Sequence, residues 1–149
     1  MGYGQAWKFP EGTQLPEVAV PELAADVARL VEDVNYAHIA TLLPDGAPHN
    51  VPVWVDREGD RIAVLTGPGS RKARNVARDP RVAISIIDHA RPHATALIRG
   101  RVAEVLDGDD AWRIIDRIAH KYTGAPYPLR SDRVVLLIEP SHAQAPTFG

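Results

Sequence analysis

The chain has 149 residues, no cysteine, and 17 Lys and Arg against 19 Asp and Glu, a net charge of −2. Thiol chemistry, iron–sulfur clusters and Cys-ligated zinc are thereby excluded, and nothing draws the chain as a whole to nucleic acid or an anionic membrane. Any phosphate binding must therefore be local, on a domain large enough to hold a core without disulfides.

Residues 1–20 read as an extended N-terminal arm, because Pro10 and Pro16 break any helix while Trp7 and Phe9 need apolar cover. The remainder, 21–149, reads as one domain. Leu23, Val27, Leu30, Val31 and Val34 recur at helical spacing opposite Glu22, Asp26, Glu32 and Asp33, which predicts an amphipathic helix. Strands follow over 36–43 and 47–56, joined by the turn Pro44-Asp45-Gly46, and a third over 61–66. Gly67-Pro68-Gly69 then interrupts, and 70–78 reads as a short helix with Ser70 as N-cap and Asp79-Pro80 as its stop. Strands resume over 81–88 and 94–106. A helix over 109–122 buries Ile114, Ile115 and Ile118, and a last strand spans 133–139.

Six strands in hairpin succession with helices at the margins argue against an alternating βαβ sheet. They predict a mainly β (α+β) fold, a six-stranded antiparallel barrel with peripheral helices. Strand residues 82–87 are apolar on both faces, so an outer patch is covered either by a second copy, giving a homodimer, or by the chain's own helices. The longest apolar run, 134–138, is far short of the ~20 residues of a membrane helix, and no apolar leader is evident, so a cytoplasmic location is expected.

The segment Thr66-Gly67-Pro68-Gly69-Ser70-Arg71-Lys72-Ala73-Arg74-Asn75 carries the chemistry. A strand ends, the glycines permit a tight bend, and a helix begins. The first N–H groups of a helix lack internal acceptors and sit at the positive end of its dipole, which suits a phosphate. Ser70 and Thr66 add hydroxyls, and Arg71 and Lys72 add charge-assisted donors. The glycine spacing fits neither a P-loop nor a dinucleotide fingerprint. Ser70 reads equally well as a plain cap beside a solvated basic face. Upstream, Asn50-Val51-Pro52-Val53-Trp54-Val55 alternates cleanly, yet Pro52 removes a ladder N–H. That strand must be an edge or border an opening, where a flat ring could meet main-chain groups beside Pro52, with Trp54 as apolar wall.

The order of these features, from about Tyr36 to Glu104 and including Ala40-Thr41-Leu42 and Asp45-Gly46-Ala47-Pro48-His49, resembles the split-barrel flavin and deazaflavin proteins related to pyridoxamine 5′-phosphate oxidase. The similarity is greatest to the branch that uses the deazaflavin coenzyme F420. The resemblance implies a homodimer with cofactor sites at the subunit interface. It implies a phosphate on Ser70, Arg71 and Lys72, with Thr66 and Asn75 close by, and a ring against Asn50, Val51, Pro52, Val53 and Trp54. Trp112, Lys121, Tyr122 and Tyr127 are candidates to reach across from the partner.

The chain departs from authentic pyridoxamine phosphate oxidases in two places. Asn50 and Val55 stand on a strand where those enzymes carry basic residues, and the tail Ser141-His142-Ala143-Gln144-Ala145-Pro146 lacks their Arg-rich motif. Vitamin B6 oxidation is disfavoured, and coenzyme F420 is favoured over FMN. The expected activity is hydride transfer to an unsaturated small molecule, in which the cofactor supplies the chemistry and no catalytic triad is needed. His49, Lys121 and Tyr122 are candidate general acids. The alternatives are an FMN-dependent oxidoreductase and a flavin- or haem-binding carrier. His89 and His93 flank Pro92 in a loop and do not read as a metal pair, and single-stranded nucleic acid would demand stacking rings along a basic groove.

Overall fold

The computed structural model describes residues 21–147, so the arm expected over residues 1–20 lies outside the described residues. The first apolar stripe folds as helix α1 (Ala25–Glu32), which buries Val27, Ala28, Leu30 and Val31. It stops sooner than the periodicity suggests: Asp33 is already extended, and Val34 is 51% exposed rather than part of the buried stripe.

The strands are β1 (Ala37–Leu42), β2 (Pro48–Val53), β3 (Val55–Glu58), β4 (Arg61–Thr66), β5 (Arg81–Ile87), β6 (Thr95–Leu106) and β7 (Val134–Gln144). Helix α2 (Arg71–Arg78) follows β4, and α3 (Gly108–Thr123) precedes β7. There are seven strands where six are expected, because the run 47–56 divides at Trp54. β2 pairs with β1, whereas β3 pairs with β4, in the register Val55 to Val64. The last strand also extends to Gln144, past the expected end at Glu139, because β6 is long enough to pair with it as far as Leu97.

All neighbours are antiparallel, in the order β2-β1-β5-β6-β7-β4-β3. The two outermost strands, β2 and β3, are separated in the chain by Trp54 alone. A flat sheet cannot bring its opposite edges within one residue of each other, so the sheet must curl until the edges meet there. This is a split barrel, and the expected edge position of the Pro52 strand is where the structure puts it.

The inside of the curl is filled by Ile39, Val53, Val55, Ile62, Val64, Ile84, Ile86, Ile98, Leu136 and Ile138 together with the apolar face of α1. A second cluster lies between α3 and the outer side of β4 and β7, with Ile114, Ile115 and Ile118 against Ala63, Val135 and Leu137. β6 shifts register against β7 at Arg99/Gly100 and again at Val102/Glu104, and such bulges bend a long strand around a barrel. At Gly100 the backbone of Glu139 comes so close that a Cβ would overlap its carbonyl oxygen. No helix among the described residues is long and apolar enough to cross a membrane.

Candidate functional site

The bend after β4 is built by local hydrogen bonds. The Ser70 N–H donates to the Gly67 carbonyl (3.1 Å), and Ser70 Oγ accepts from the Ala73 N–H (3.2 Å), the capping geometry the sequence predicts. The same hydroxyl lies 2.7 Å from Thr66 Oγ1, and Thr66 is buried. The two hydroxyls thus form a clasp that closes the bend. By helix geometry the N–H groups of Arg71 and Lys72 have no acceptor within α2 and face outward at its positive end.

Beside the bend lies a hollow of about 410 Å³ lined by Tyr36, Pro52, Val53, Trp54, Leu65, Lys72 and Tyr127. Its aromatic wall is built from rings in mutual contact. Trp54 stacks on Tyr122 with ring centroids 5.1 Å apart and 7° between planes, and Tyr127 meets Trp54 edge-on at 6.5 Å. Tyr122 is fixed in turn, its hydroxyl donating to the Asn35 carbonyl (2.5 Å) and accepting from the Val55 N–H (3.3 Å). This hydroxyl receives the first N–H of β3 where the sheet splits. Burial raises the pKa of Tyr122, so it stays a neutral donor.

Lys121 and Lys72 are both half-buried, with different surroundings. Lys121 Nζ donates to the Val31 carbonyl (2.8 Å), in the last turn of α1, and to the Val55 carbonyl (2.6 Å), and lies 3.8 Å from Asp56. Burial lowers its pKa, opposed by the charge of Asp56. It ties α3 to α1 and β3. Lys72 forms no ion pair among the described residues. Its pKa is lowered by burial and then by the positive charge of Arg133, which reaches toward the same bend from the foot of β7.

The loop between α3 and β7 is held by one carboxylate. Asp116 takes both arms of Arg130 (2.7 and 3.2 Å) and the Tyr127 N–H (3.0 Å), and Arg130 lies over the Trp112 ring at 4.1 Å. These bonds place Tyr127 at the hollow. The hydrogen bond from Arg130 is the main cause of the lowered pKa of Asp116.

Of the residues singled out from the sequence, Pro52, Val53, Trp54 and Lys72 meet at this hollow, with Thr66, Ser70 and exposed Arg71 on the bend beside it. Val51 packs against the core. Asn50 lines a different, larger hollow of about 750 Å³ on the outer face of the sheet, with His38, Ala40, Ala83, Leu97, Arg99 and His142 among its walls. Asn75 is fully buried. Its amide donates to Thr41 Oγ1 (3.0 Å), so it anchors α2 to β1 rather than facing an opening. Among the suggested cross-subunit residues, Lys121, Tyr122 and Trp112 are engaged within their own chain. His49 lines neither hollow, and its buried Nδ1 has no hydrogen-bond partner among the described residues. Among the described residues no group of three or more His, Cys, Asp or Glu is placed to hold a metal.

Leu65, Tyr36 and Arg133 are site residues that the sequence reading missed. Leu65 had a signal, since it alternates with the core-facing Val64. Arg133 had none, because only the pairing of Thr66 with Val134 brings the start of β7 to the bend.

The chain belongs to the pyridoxamine 5′-phosphate oxidase family, whose profile matches residues 23–145. Among solved structures it is similar to an F420 reductase, at 26% identity and a TM-score of 0.72, over 82% of this chain and 98% of that one. A conserved hypothetical protein from Mycobacterium tuberculosis is also 26% identical, with a TM-score of 0.71 and 86% of each chain covered. A pyridoxamine 5′-phosphate oxidase-related, FMN binding protein from Nostoc punctiforme shares the fold, at 16% identity, a TM-score of 0.56, and 74% and 72% coverage of this chain and that one. No curated protein matches.

Proposed function

We propose that this protein is an oxidoreductase that holds a deazaflavin, coenzyme F420, with its phosphate at the bend and its ring in the aromatic hollow, and reduces an unsaturated small molecule. The observation that carries this reading is the adjacency of a capped helix start, the half-buried Lys72, which has no ion pair among the described residues, and a hollow walled by Trp54, Leu65 and Tyr127. The residues fit a flat ring with an anionic tail: one end of the hollow offers cations that pair with no carboxylate among the described residues, the other offers apolar and aromatic surface. When bound, such a cofactor supplies the hydride.

The chain's own residues bind and orient. Ser70, Arg71 and Lys72 take the phosphate, with Thr66 setting the Ser70 hydroxyl. Pro52, Val53 and Trp54 form the wall for the ring and keep water from it, and Tyr127, edge-on to Trp54, adds a further wall. Asn75 contributes by fixing α2. A proton for the reduced substrate comes from solvent on this reading, because Tyr122 and Lys121 are committed to backbone carbonyls.

The similarity to an F420 reductase supports the deazaflavin over FMN. FMN in the same place is the second reading, supported by the FMN binding protein of the same fold. A second copy of the chain would cover the outer face around Ala83, Ile87 and Leu97, the last two being 46% and 40% exposed, and so give a homodimer. The test is anaerobic mixing of the protein with reduced F420 and a panel of conjugated acceptors, followed by cofactor absorbance. Acceptor-dependent oxidation supports an enzyme, whereas tight binding without oxidation by any acceptor identifies a carrier.

A further inference from the structure

The bend is approached by cations from two sides, and only one side is encoded in the Ser70-Arg71-Lys72 segment. From the other comes Arg133, the residue before β7. Its Nη1 atom lies 3.0 Å from the position a Cβ on Gly67 would occupy, and its guanidinium is 5.8 Å from the centre of the Tyr127 ring that walls the hollow. It is half-buried, yet the sole hydrogen bond of its side chain among the described residues is from Nη1 to the carbonyl of neighbouring Asp132 (2.9 Å). Most other arginines of the described chain have a carboxylate: Arg29, Arg57, Arg61, Arg81, Arg101, Arg113, Arg117 and Arg130 all form ion pairs. Arg133 faces Lys72 instead, closely enough that its charge lowers the lysine's pKa. Two like charges held beside one hollow, with no carboxylate paired to either among the described residues, raise the energy of the empty site. An anion between them relieves that repulsion.

We propose that Arg133 is the second arm of the anion site, so that a phosphate group lying over Gly67 is gripped by Lys72 from α2 and by Arg133 from the foot of β7. This deepens the cofactor reading and rests on it for the identity of the ring, though not for the anion. Gly67 belongs to the device, since a side chain there would push the guanidinium away. A planar guanidinium presents a fixed fork of N–H donors to two phosphate oxygens at once, whereas a lysine acts as a point charge.

The test uses the full chain and inorganic phosphate as the probe, titrated at constant ionic strength with chloride as the balancing anion and read by ³¹P line broadening. The variants are Arg133→Gln, Arg133→Lys, Gly67→Ala and, as a control at an exposed arginine that lines neither hollow, Arg91→Gln. We expect saturable binding to the wild type, a loss of about ten-fold or more in Arg133→Gln, partial recovery in Arg133→Lys, and no change in Arg91→Gln. Gly67→Ala keeps every charge and should also weaken binding, so the inference remains testable if Arg133→Gln does not fold. Absence of phosphate binding by the wild type would overturn the inference. So would equal affinity in wild type and Arg133→Gln, or an equal loss in Arg91→Gln.

Parallel titrations with FMN, riboflavin and F420 separate the two claims. Phosphate binding that depends on Arg133, with no chromophore bound, sustains the inference and removes the cofactor reading. Chromophore binding together with phosphate affinity indifferent to Arg133 does the reverse.

Discussion

Ser70 holds the bend with one hydroxyl that meets both the Ala73 N–H and Thr66. Replacing it with alanine removes the cap and leaves buried Thr66 without that partner. Ser70→Ala should therefore lower the unfolding free energy by about 1 kcal/mol, measured in urea, with Ser70→Asp restoring part of the loss. The cap was legible in the sequence because its chemistry is local: a serine after two glycines, with a helical segment behind it. Asn75 was not legible, since an amide three positions past Lys72 has the same composition whether it faces a ligand or the core. Only the packing of α2 on β1 decides that it points at Thr41. The same limit hid Arg133, whose neighbour across the sheet is more than sixty residues away in the chain.

At the scale of elements, most strands could be read from alternation, but the division at Trp54 could not. Val51, Val53 and Val55 continue one alternating face through the break, so the side-chain pattern is uninterrupted while the hydrogen-bonded partner changes from β1 to β4. The β6–β7 bulge at Arg99/Gly100 is equally silent in the pattern and is permitted by Gly100, where there is no room for a Cβ. Gly100→Ala should cost about 3 kcal/mol, seen as a lower urea midpoint, because the overlap is with backbone and cannot be relieved by a rotamer change.

The loop before β7 gives a pH-dependent prediction. The carboxyl of Asp116 titrates below its ordinary value of 3.8 in the folded protein. Its stabilising contribution is therefore present above the ordinary carboxylate range and is lost as pH falls through the lowered folded value. Asp116→Asn should mimic that loss at neutral pH. Tryptic cleavage after Arg130 should be accelerated in the variant, and wild-type cleavage rates in Asp116→Asn would show that the loop is held by other means.

For the molecule as a whole, the curl that closes the edges at Trp54 leaves the outer face of β1, β2, β5 and β6 open among the described residues, with the larger hollow upon it. The sequence pointed to this face through the two-sided apolar run 82–87, but pattern alone could not choose between a helix and a second copy as its cover. The second cluster shows where α3 lies, against β4 and β7, which leaves the β5 and β6 face free of it. On the proposed dimer, Ala83→Arg places a charge in the centre of the contact and should yield monomers by sedimentation velocity. A wild type that sediments as a monomer at micromolar concentration would remove the dimer from the account.

On the proposed function, the bend between β4 and α2 grips an anionic tail and thereby sets a planar redox ring in the hollow beside Trp54. Fluorescence titration of F420 and FMN against the wild type and an Arg71→Ala, Lys72→Ala double variant tests it most directly. Saturable binding of at least one chromophore to the wild type is expected, weakened in the variant by roughly 1.5–3 kcal/mol for each charged hydrogen bond lost. Equal affinity in both proteins, or no binding of either chromophore to the wild type, would contradict it.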